Sequence, residues 1–154
     1  MPNTPAQLGY GITGLFATAN VFEPERILAE NVLQAVGETV WIPEEWQMDI
    51  VTALSGSGPA YCFYIMEALI NSAEKLGLPH DIASKLTLNT LLGSSFMALH
   101  SDDDLKSLQK KVTSPGGTTE EGINVLKHGK LEDLLYKTLQ AAFERGKTLS
   151  KQFD

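Results

Sequence analysis

From residue 44 onward, apolar residues recur every three or four positions between short polar or glycine-rich breaks. This spacing predicts amphipathic helices over residues 44–54, 60–76, 79–100, 102–111, 119–128 and 131–152. The helix over 60–76 is the most apolar, because a single charge, Glu67, interrupts residues 60–70. A helix that is apolar nearly all round must be buried on most sides. Either the rest of a monomeric bundle or a second subunit provides the cover, and the pattern leaves both open.

Residues 1–43 have a different texture, rich in glycine, β-branched residues and aromatics. Segments 11–18 and 38–42 are predicted strands, and the apolar spacing over 25–36 predicts a helix between them. Strand, helix and strand form a βαβ unit, which normally belongs to a larger sheet. We therefore predict a mainly α fold that begins with a short βαβ unit, with a domain boundary between residues 1–43 and 44–154.

Composition narrows the class of protein without identifying it. The 154 residues carry a formal net charge of -7, so binding to nucleic acid is not expected. No apolar run reaches the roughly 18 residues of a membrane span, and no signal peptide is expected from the first residues. The single cysteine, Cys62, excludes an intrachain disulfide, fits a reducing cytosol and is predicted to be a buried small hydrophobe. His80, His100 and His128 lack ligand-like spacing, so no metal site is predicted.

Two loops of small residues, Ser55–Pro59 and Ser114–Thr119, each lead into a predicted helix. In the second loop Thr118 is a predicted N-cap, and Glu121, three residues later, completes a capping box. Backbone N–H groups at a helix start are free, glycines let a ligand approach them, and the helix dipole favours a carboxylate or phosphate. An ordinary capped turn accounts for the same residues, so the spacing alone leaves both interpretations open.

Four segments carry a family resemblance: Met1–Pro5, Thr52–Tyr61, Gly77–Pro79 and Val112–Thr119. With them, essentially the whole chain resembles the C-terminal part of pyrroline-5-carboxylate reductases. The resemblance implies a Rossmann domain that holds NADPH or NADH, and a helical bundle that forms an interlaced dimer. The active site then lies between the nucleotide domain of one subunit and the helices of its partner. There a hydride passes to the C=N carbon of 1-pyrroline-5-carboxylate and gives L-proline, in the last step of proline biosynthesis in the cytoplasm.

Carried over position by position, the resemblance implies a substrate site in the second small-residue loop. The substrate carboxylate is bound there by Ser114, Gly116, Gly117 and Thr118, chiefly through backbone N–H groups. Thr119 also belongs to this site and is the implied catalytic residue. Its hydroxyl matches the group that hydrogen-bonds the ring nitrogen, where a proton must arrive as the imine is reduced.

The resemblance implies three further binding residues outside this loop. Asp102 matches an acidic position of the substrate site, although a solvated helix start explains it equally. Lys111 matches a position that carries an amide in some relatives, and a cation there could meet a cofactor phosphate. Pairing with a helix C-terminus is the alternative for Lys111. Asn3 is expected near the cofactor.

One departure from the family pattern is large. No G-x-G-x-x-G segment follows a strand and opens a helix in this sequence, so the main dinucleotide-binding unit is absent. We therefore expect the 154 residues alone to form a homodimer, or a ring of dimers, without turnover. Residues 10–43 are then expected to pair across the dimer or to be partly disordered. A catalytically silent oligomerisation module with a vestigial carboxylate-binding loop is the alternative.

Overall fold

A computed structural model describes residues 1–150, in which helices dominate and the sheet has two strands. The strands are β1 (Gly11–Leu15) and β2 (Gly37–Trp41). The α-helices are α1 (Glu23–Gln34), α2 (Met48–Val51), α3 (Gly58–Lys75), α4 (His80–Leu99), α5 (Leu105–Lys111), α6 (Thr118–His128) and α7 (Leu131–Ser150). The predicted mainly helical fold with a βαβ unit at its start is confirmed; residue 152, the predicted end of the last helix, lies outside the described residues.

The βαβ unit is built as its sequence predicts. β1 and β2 pair in parallel, in a register that runs from Gly11 opposite Gly37 to Leu15 opposite Trp41. Helix α1 begins two residues earlier than predicted, because the Glu25 carboxylate accepts a hydrogen bond of 2.9 Å from the Phe22 N–H and caps the helix there.

The second edge of β1 is also occupied within the chain. The Gly14 N–H donates to the Met1 carbonyl at 3.0 Å, and the Ile12 N–H donates to Asn3 Oδ1 at 3.0 Å. β1 therefore has β2 on one side and residues 1–3 on the other. The sequence predicted pairing across a dimer or partial disorder for these strands, whereas one chain already supplies both neighbours of β1.

The first small-residue loop proves to be part of a continuous helical path. After a 3₁₀ turn at Glu45–Gln47 and the single turn of α2, residues Thr52–Gly56 form a π-helical turn that runs into α3. The Ser57 N–H closes this turn by donating to the Thr52 carbonyl at 2.9 Å, five residues back. For Ser55–Pro59 the spacing leaves a ligand loop and an ordinary turn open, and the structure has a helical turn in which local carbonyls accept backbone N–H groups.

The described chain forms two compact units. One consists of Met1–Cys62 with the segment from Leu135 onward, and the other is Phe63–Leu134. These two compact units do not coincide with the predicted domains 1–43 and 44–154. The domain boundary between residues 43 and 44 therefore stays a prediction.

Apolar burial within one chain is small. The buried residues of the described part are Gly11, Thr13, Gly14, Leu15, Ala53 and Ala83. On α3 the large side chains of Phe63 and Tyr64 are 65% and 75% exposed. Cys62, predicted to be buried, is exposed for the same reason: α3 has little cover from its own chain. An apolar helix left this open is typical of a surface that a partner covers.

Gly14→Ala is expected to lower the free energy of unfolding by about 1–3 kcal/mol. A Cβ at this position would lie 2.6 Å from Cγ1 of Val51, whose branched side chain has few alternative rotamers. Gly122→Ala in α6 is the control, since its new Cβ would meet open space and should leave stability equal or raise it by about 0.5–1 kcal/mol. Urea unfolding followed by circular dichroism measures both, and equal effects of the two substitutions would contradict the packing argument.

Candidate functional site

The segment before α6 is a tight turn whose geometry needs its glycine. The Gly117 N–H donates to the Ser114 carbonyl at 3.0 Å, which closes a four-residue turn. Pro115 occupies the second position of the turn and Gly116 the third, where φ is +70°. Proline followed by a residue with positive φ is typical of a type II turn. The loop is therefore held in one conformation by its own backbone.

Helix α6 begins so that its first N–H groups lie beside this turn. Gly117 is the N-cap, with extended φ and ψ of -88° and 168°, and its carbonyl accepts from the Glu121 N–H at 3.3 Å. The N–H groups of Thr118 and Thr119 precede this first intrahelical donor, so the helix offers them no acceptor. They lie at the positive end of the helix dipole, which favours an anion.

The predicted cap of α6 is wrong by one residue. Thr118 was expected to be the N-cap with Glu121 completing a capping box, but Thr118 is the first helical residue and no side chain caps Gly117. Glu120 takes over the role, since its Oε2 accepts a hydrogen bond of 2.7 Å from the Gly116 N–H. The extended backbone of Gly117 starts the helix one residue earlier than predicted, so Glu120 rather than Glu121 is the third helical residue and reaches back onto the turn.

Glu120 is thus a residue of the site that the sequence interpretation missed. Its side chain is half-buried, whereas that of Glu121 is exposed. The signal was available, because an acidic residue at the third helical position commonly reaches back to the N-terminal backbone. Only the register of the helix start decides which of the two glutamates holds that position.

The acidic run before α5 is organised by hydrogen bonds to two of its three members. Asp104 caps α5 by accepting from the Ser107 N–H at 2.6 Å, and this bond holds the pKa of Asp104 below its usual range. Asp103 pairs with Lys111, whose hydrogen bond is the main reason that the pKa of Asp103 is also lowered. Asp102, the member that the resemblance assigns to the substrate site, is exposed.

Lys111 and Asn3 both already have partners in the described chain. Lys111 lies in the last turn of α5, as its helix C-terminal alternative requires, and its ammonium is also paired with Asp103. Asn3 uses its side-chain oxygen for the Ile12 N–H, so its amide NH₂ is the group left to meet a ligand. Asn3 lines a groove of about 550 Å³ together with Pro2, Thr52, Gly56 and Ser57. Two of the resembling segments therefore line one groove.

Residues 1–150 show neither a metal-binding cluster nor a membrane-spanning helix. No group of three His, Cys, Asp or Glu side chains comes together there in a way that could hold a metal ion. Within the same residues, every helix is too short or too polar to cross a bilayer.

Comparison with known proteins places the chain beside one enzyme family. Residues 45–149 match the family model for pyrroline-5-carboxylate reductase dimerisation. The chain is 46% identical to the pyrroline-5-carboxylate reductase of Pseudomonas aeruginosa over 152 residues, which are 99% of this chain and 56% of that protein. It is 40% identical to that of Synechocystis over 153 residues, 99% of this chain and 57% of that protein. The chain thus spans just over half the length of these relatives.

Solved structures give the same result. A pyrroline-5-carboxylate reductase from Coxiella burnetii superposes with a TM-score of 0.94 at 49% identity, covering 97% of this chain and 55% of the other. The Plasmodium falciparum pyrroline carboxylate reductase with NADP bound superposes with a TM-score of 0.86 at 33% identity, covering 96% and 60%.

Acidification is expected to remove stability that Asp104 contributes to the start of α5. The pKa of Asp104 is lower in the folded protein than in the unfolded chain, so its contribution is complete above about pH 4 and disappears as the pH falls through the folded pKa. In Asp104→Asn the side chain still caps the helix but does not titrate. The difference in melting temperature between wild type and this variant should therefore shrink from about pH 7 to about pH 3.

Asp102→Asn is the matched control for this prediction, because it removes the same charge from an exposed neighbour that does not cap α5. The difference in melting temperature between wild type and Asp102→Asn should change less with pH. A pH dependence as large as that of Asp104→Asn would show that general charge repulsion, and not the cap, is responsible.

Proposed function

Because the chain belongs to the pyrroline-5-carboxylate reductase family, we propose that it is part of an oxidoreductase that reduces 1-pyrroline-5-carboxylate to L-proline with NAD(P)H. The observation that carries this proposal is the similarity of 99% of the chain to reductases of that name. The activity belongs to proline biosynthesis, and we place it in the cytoplasm. The match to the dimerisation model supports a role of residues 45–149 in joining subunits.

The substrate carboxylate is proposed to bind at the start of α6. Support comes from the backbone: the type II turn at Ser114–Gly117 holds the glycines in place, and Thr118 directs an N–H away from the helix interior. No basic side chain is needed, because several N–H groups and the helix dipole together stabilise one carboxylate. Glycine at position 116 is required by its positive φ, which other residues rarely adopt.

Thr119 is proposed to assist proton delivery to the ring nitrogen. Reduction of the C=N bond needs a hydride at carbon, which NAD(P)H supplies when bound, and a proton at nitrogen. Thr119 is exposed in the second position of α6, one residue beyond the proposed carboxylate site. A hydroxyl there can donate to the nitrogen while the backbone holds the carboxylate. Asp102 is proposed to contribute a negative charge near the iminium form of the ring.

Most cofactor contacts are proposed to lie in a dinucleotide-binding domain, since the G-x-G-x-x-G fingerprint is absent from these 154 residues. Asn3 fits a supporting role, because its amide NH₂ is available beside the groove. Lys111 fits a cofactor-binding role less well, because the carboxylate of Asp103 already neutralises the positive charge that would attract a cofactor phosphate. The reductase of Plasmodium falciparum, solved with NADP bound, is consistent with NADP as the cofactor.

A homodimer is proposed as the assembled state, with a ring of dimers as its possible extension. Support comes from α3, whose aromatic and aliphatic side chains are open to solvent in the single chain. The silent oligomerisation module stays the second candidate, favoured by the missing fingerprint. The oxidation of NADPH in the presence of pyrroline-5-carboxylate separates the two: a protein that contains both this chain and a dinucleotide-binding domain should turn over, and these 154 residues alone should not.

Thr119→Ala in the intact reductase is expected to lower kcat on the order of a hundredfold, the usual size of a lost proton-transfer contact. Thr119→Ser keeps the hydroxyl and should retain most of the activity. Thr118→Ala is the matched control, because it removes a neighbouring hydroxyl but keeps the backbone N–H proposed for the carboxylate. Steady-state kinetics with pyrroline-5-carboxylate measure all three, and normal kcat in Thr119→Ala would remove Thr119 from the mechanism.

Leu69→Asp on α3 is expected to weaken the dimer at least about thirtyfold, because it places a charge in a surface that would be buried between subunits. Leu69 is 47% exposed in the single chain. Leu8→Asp is the control, since Leu8 is 80% exposed and lies outside the residues that match the dimerisation model. Sedimentation velocity at micromolar concentration should show a dimer for wild type and Leu8→Asp; a folded wild-type monomer would contradict the proposal.

A further inference from the structure

The start of α6 already holds a carboxylate that belongs to the chain itself. Glu120 Oε2 lies 2.7 Å from the Gly116 nitrogen, a short distance typical of a charge-assisted hydrogen bond. The Gly116 N–H is one of the groups proposed to bind the substrate carboxylate. The donor proposed for the substrate carboxylate therefore already has a carboxylate partner within the chain.

We propose that Glu120 regulates this site as an internal competitor, whose carboxylate must leave the Gly116 N–H before the carboxylate of a substrate or product binds there. The inference rests on the proposed function, because it takes the ligand to be a cyclic amino acid bound through its carboxylate. It adds a residue that acts against binding, whereas the residues implied by the resemblance act in favour of it.

The geometry explains why Glu120 is placed to do this. Glu120 is the third residue of α6, and its side chain folds back past the N-cap Gly117 to the third residue of the turn. The Gly117 N–H is used by the Ser114 carbonyl, so Gly116 is the donor of the turn that a side chain can occupy. Helix α6 directs its dipole at the same place, and two negative charges there repel each other. A bound ligand therefore favours a conformation in which Glu120 has turned towards water.

A purely structural cap makes the opposite prediction. If Glu120 only holds the turn in shape, removing its charge loosens the loop, and the ligand binds more weakly. If Glu120 competes, removing its charge makes the ligand bind more tightly. The sign of the change in affinity therefore separates the two roles, which a change in stability would not.

The test compares Glu120→Gln with Glu121→Gln in the full 154-residue chain, using L-proline as the probe. Both substitutions remove one negative charge near the start of α6, but Glu121 is exposed, and the hydrogen bond to the Gly116 N–H is made by Glu120. Titration followed by the ¹⁵N–¹H resonances of residues 116–119 gives the Kd, and the Gly116 resonance of the free proteins reports the contact itself. Melting temperatures show that each variant is folded.

We expect the Gly116 resonance to move in free Glu120→Gln and to stay in place in free Glu121→Gln. The Kd for L-proline should fall about fivefold more in Glu120→Gln than in Glu121→Gln, the factor that corresponds to carboxylate repulsion across a few ångströms near water. An equal or higher Kd in Glu120→Gln overturns the competition and leaves the proposed function intact. Failure of all three proteins to bind L-proline overturns the proposed carboxylate site and the inference with it.

Discussion

Apolar side chains are buried only where other parts of the protein pack over them, and a single copy of this chain buries few of its apolar side chains. Phe63, Tyr64 and other large side chains of α3 are exposed to solvent, while Leu15 is the one large apolar side chain buried among the described residues. Since apolar burial is the main source of folding free energy, the proposed homodimer would supply cover that one chain lacks. A match of residues 45–149 to a dimerisation family agrees with this.

Backbone hydrogen bonding imposes a second constraint at the proposed substrate site. A type II turn and a helix start meet at Gly116 and Gly117, and together they direct N–H groups to one place. Such a site is built without lysine or arginine, which agrees with the acidic composition of the chain. It is also open to any carboxylate within reach, and Glu120 is within reach. The same feature that makes the site suited to a substrate thus exposes it to competition from its own helix.

Local signals predicted most element boundaries to within about two residues, and the exceptions have physical causes. Gly77 ends its helical segment as expected, with φ of +103° and the Leu78 N–H donating back to the Ala73 carbonyl. The π-helical turn was missed because glycine and serine normally indicate a break, whereas here the Ser57 N–H finds a carbonyl five residues back. The cap of α6 was missed because two adjacent glutamates compete for it, and a shift of one residue selects between them.

The sequence by itself determined the helices, the parallel βαβ unit and the family, because all three are carried by local spacing and by motifs such as Val112–Thr119. Those features depend on neighbours in the chain, which a sequence shows directly. Only the tertiary structure decided that Met1 and Asn3 cover the free edge of β1, that Lys111 is paired with Asp103, and that Glu120 occupies the Gly116 N–H. In each case the sequence offers several chemically equivalent partners, and the folded chain brings only one of them within hydrogen-bonding distance.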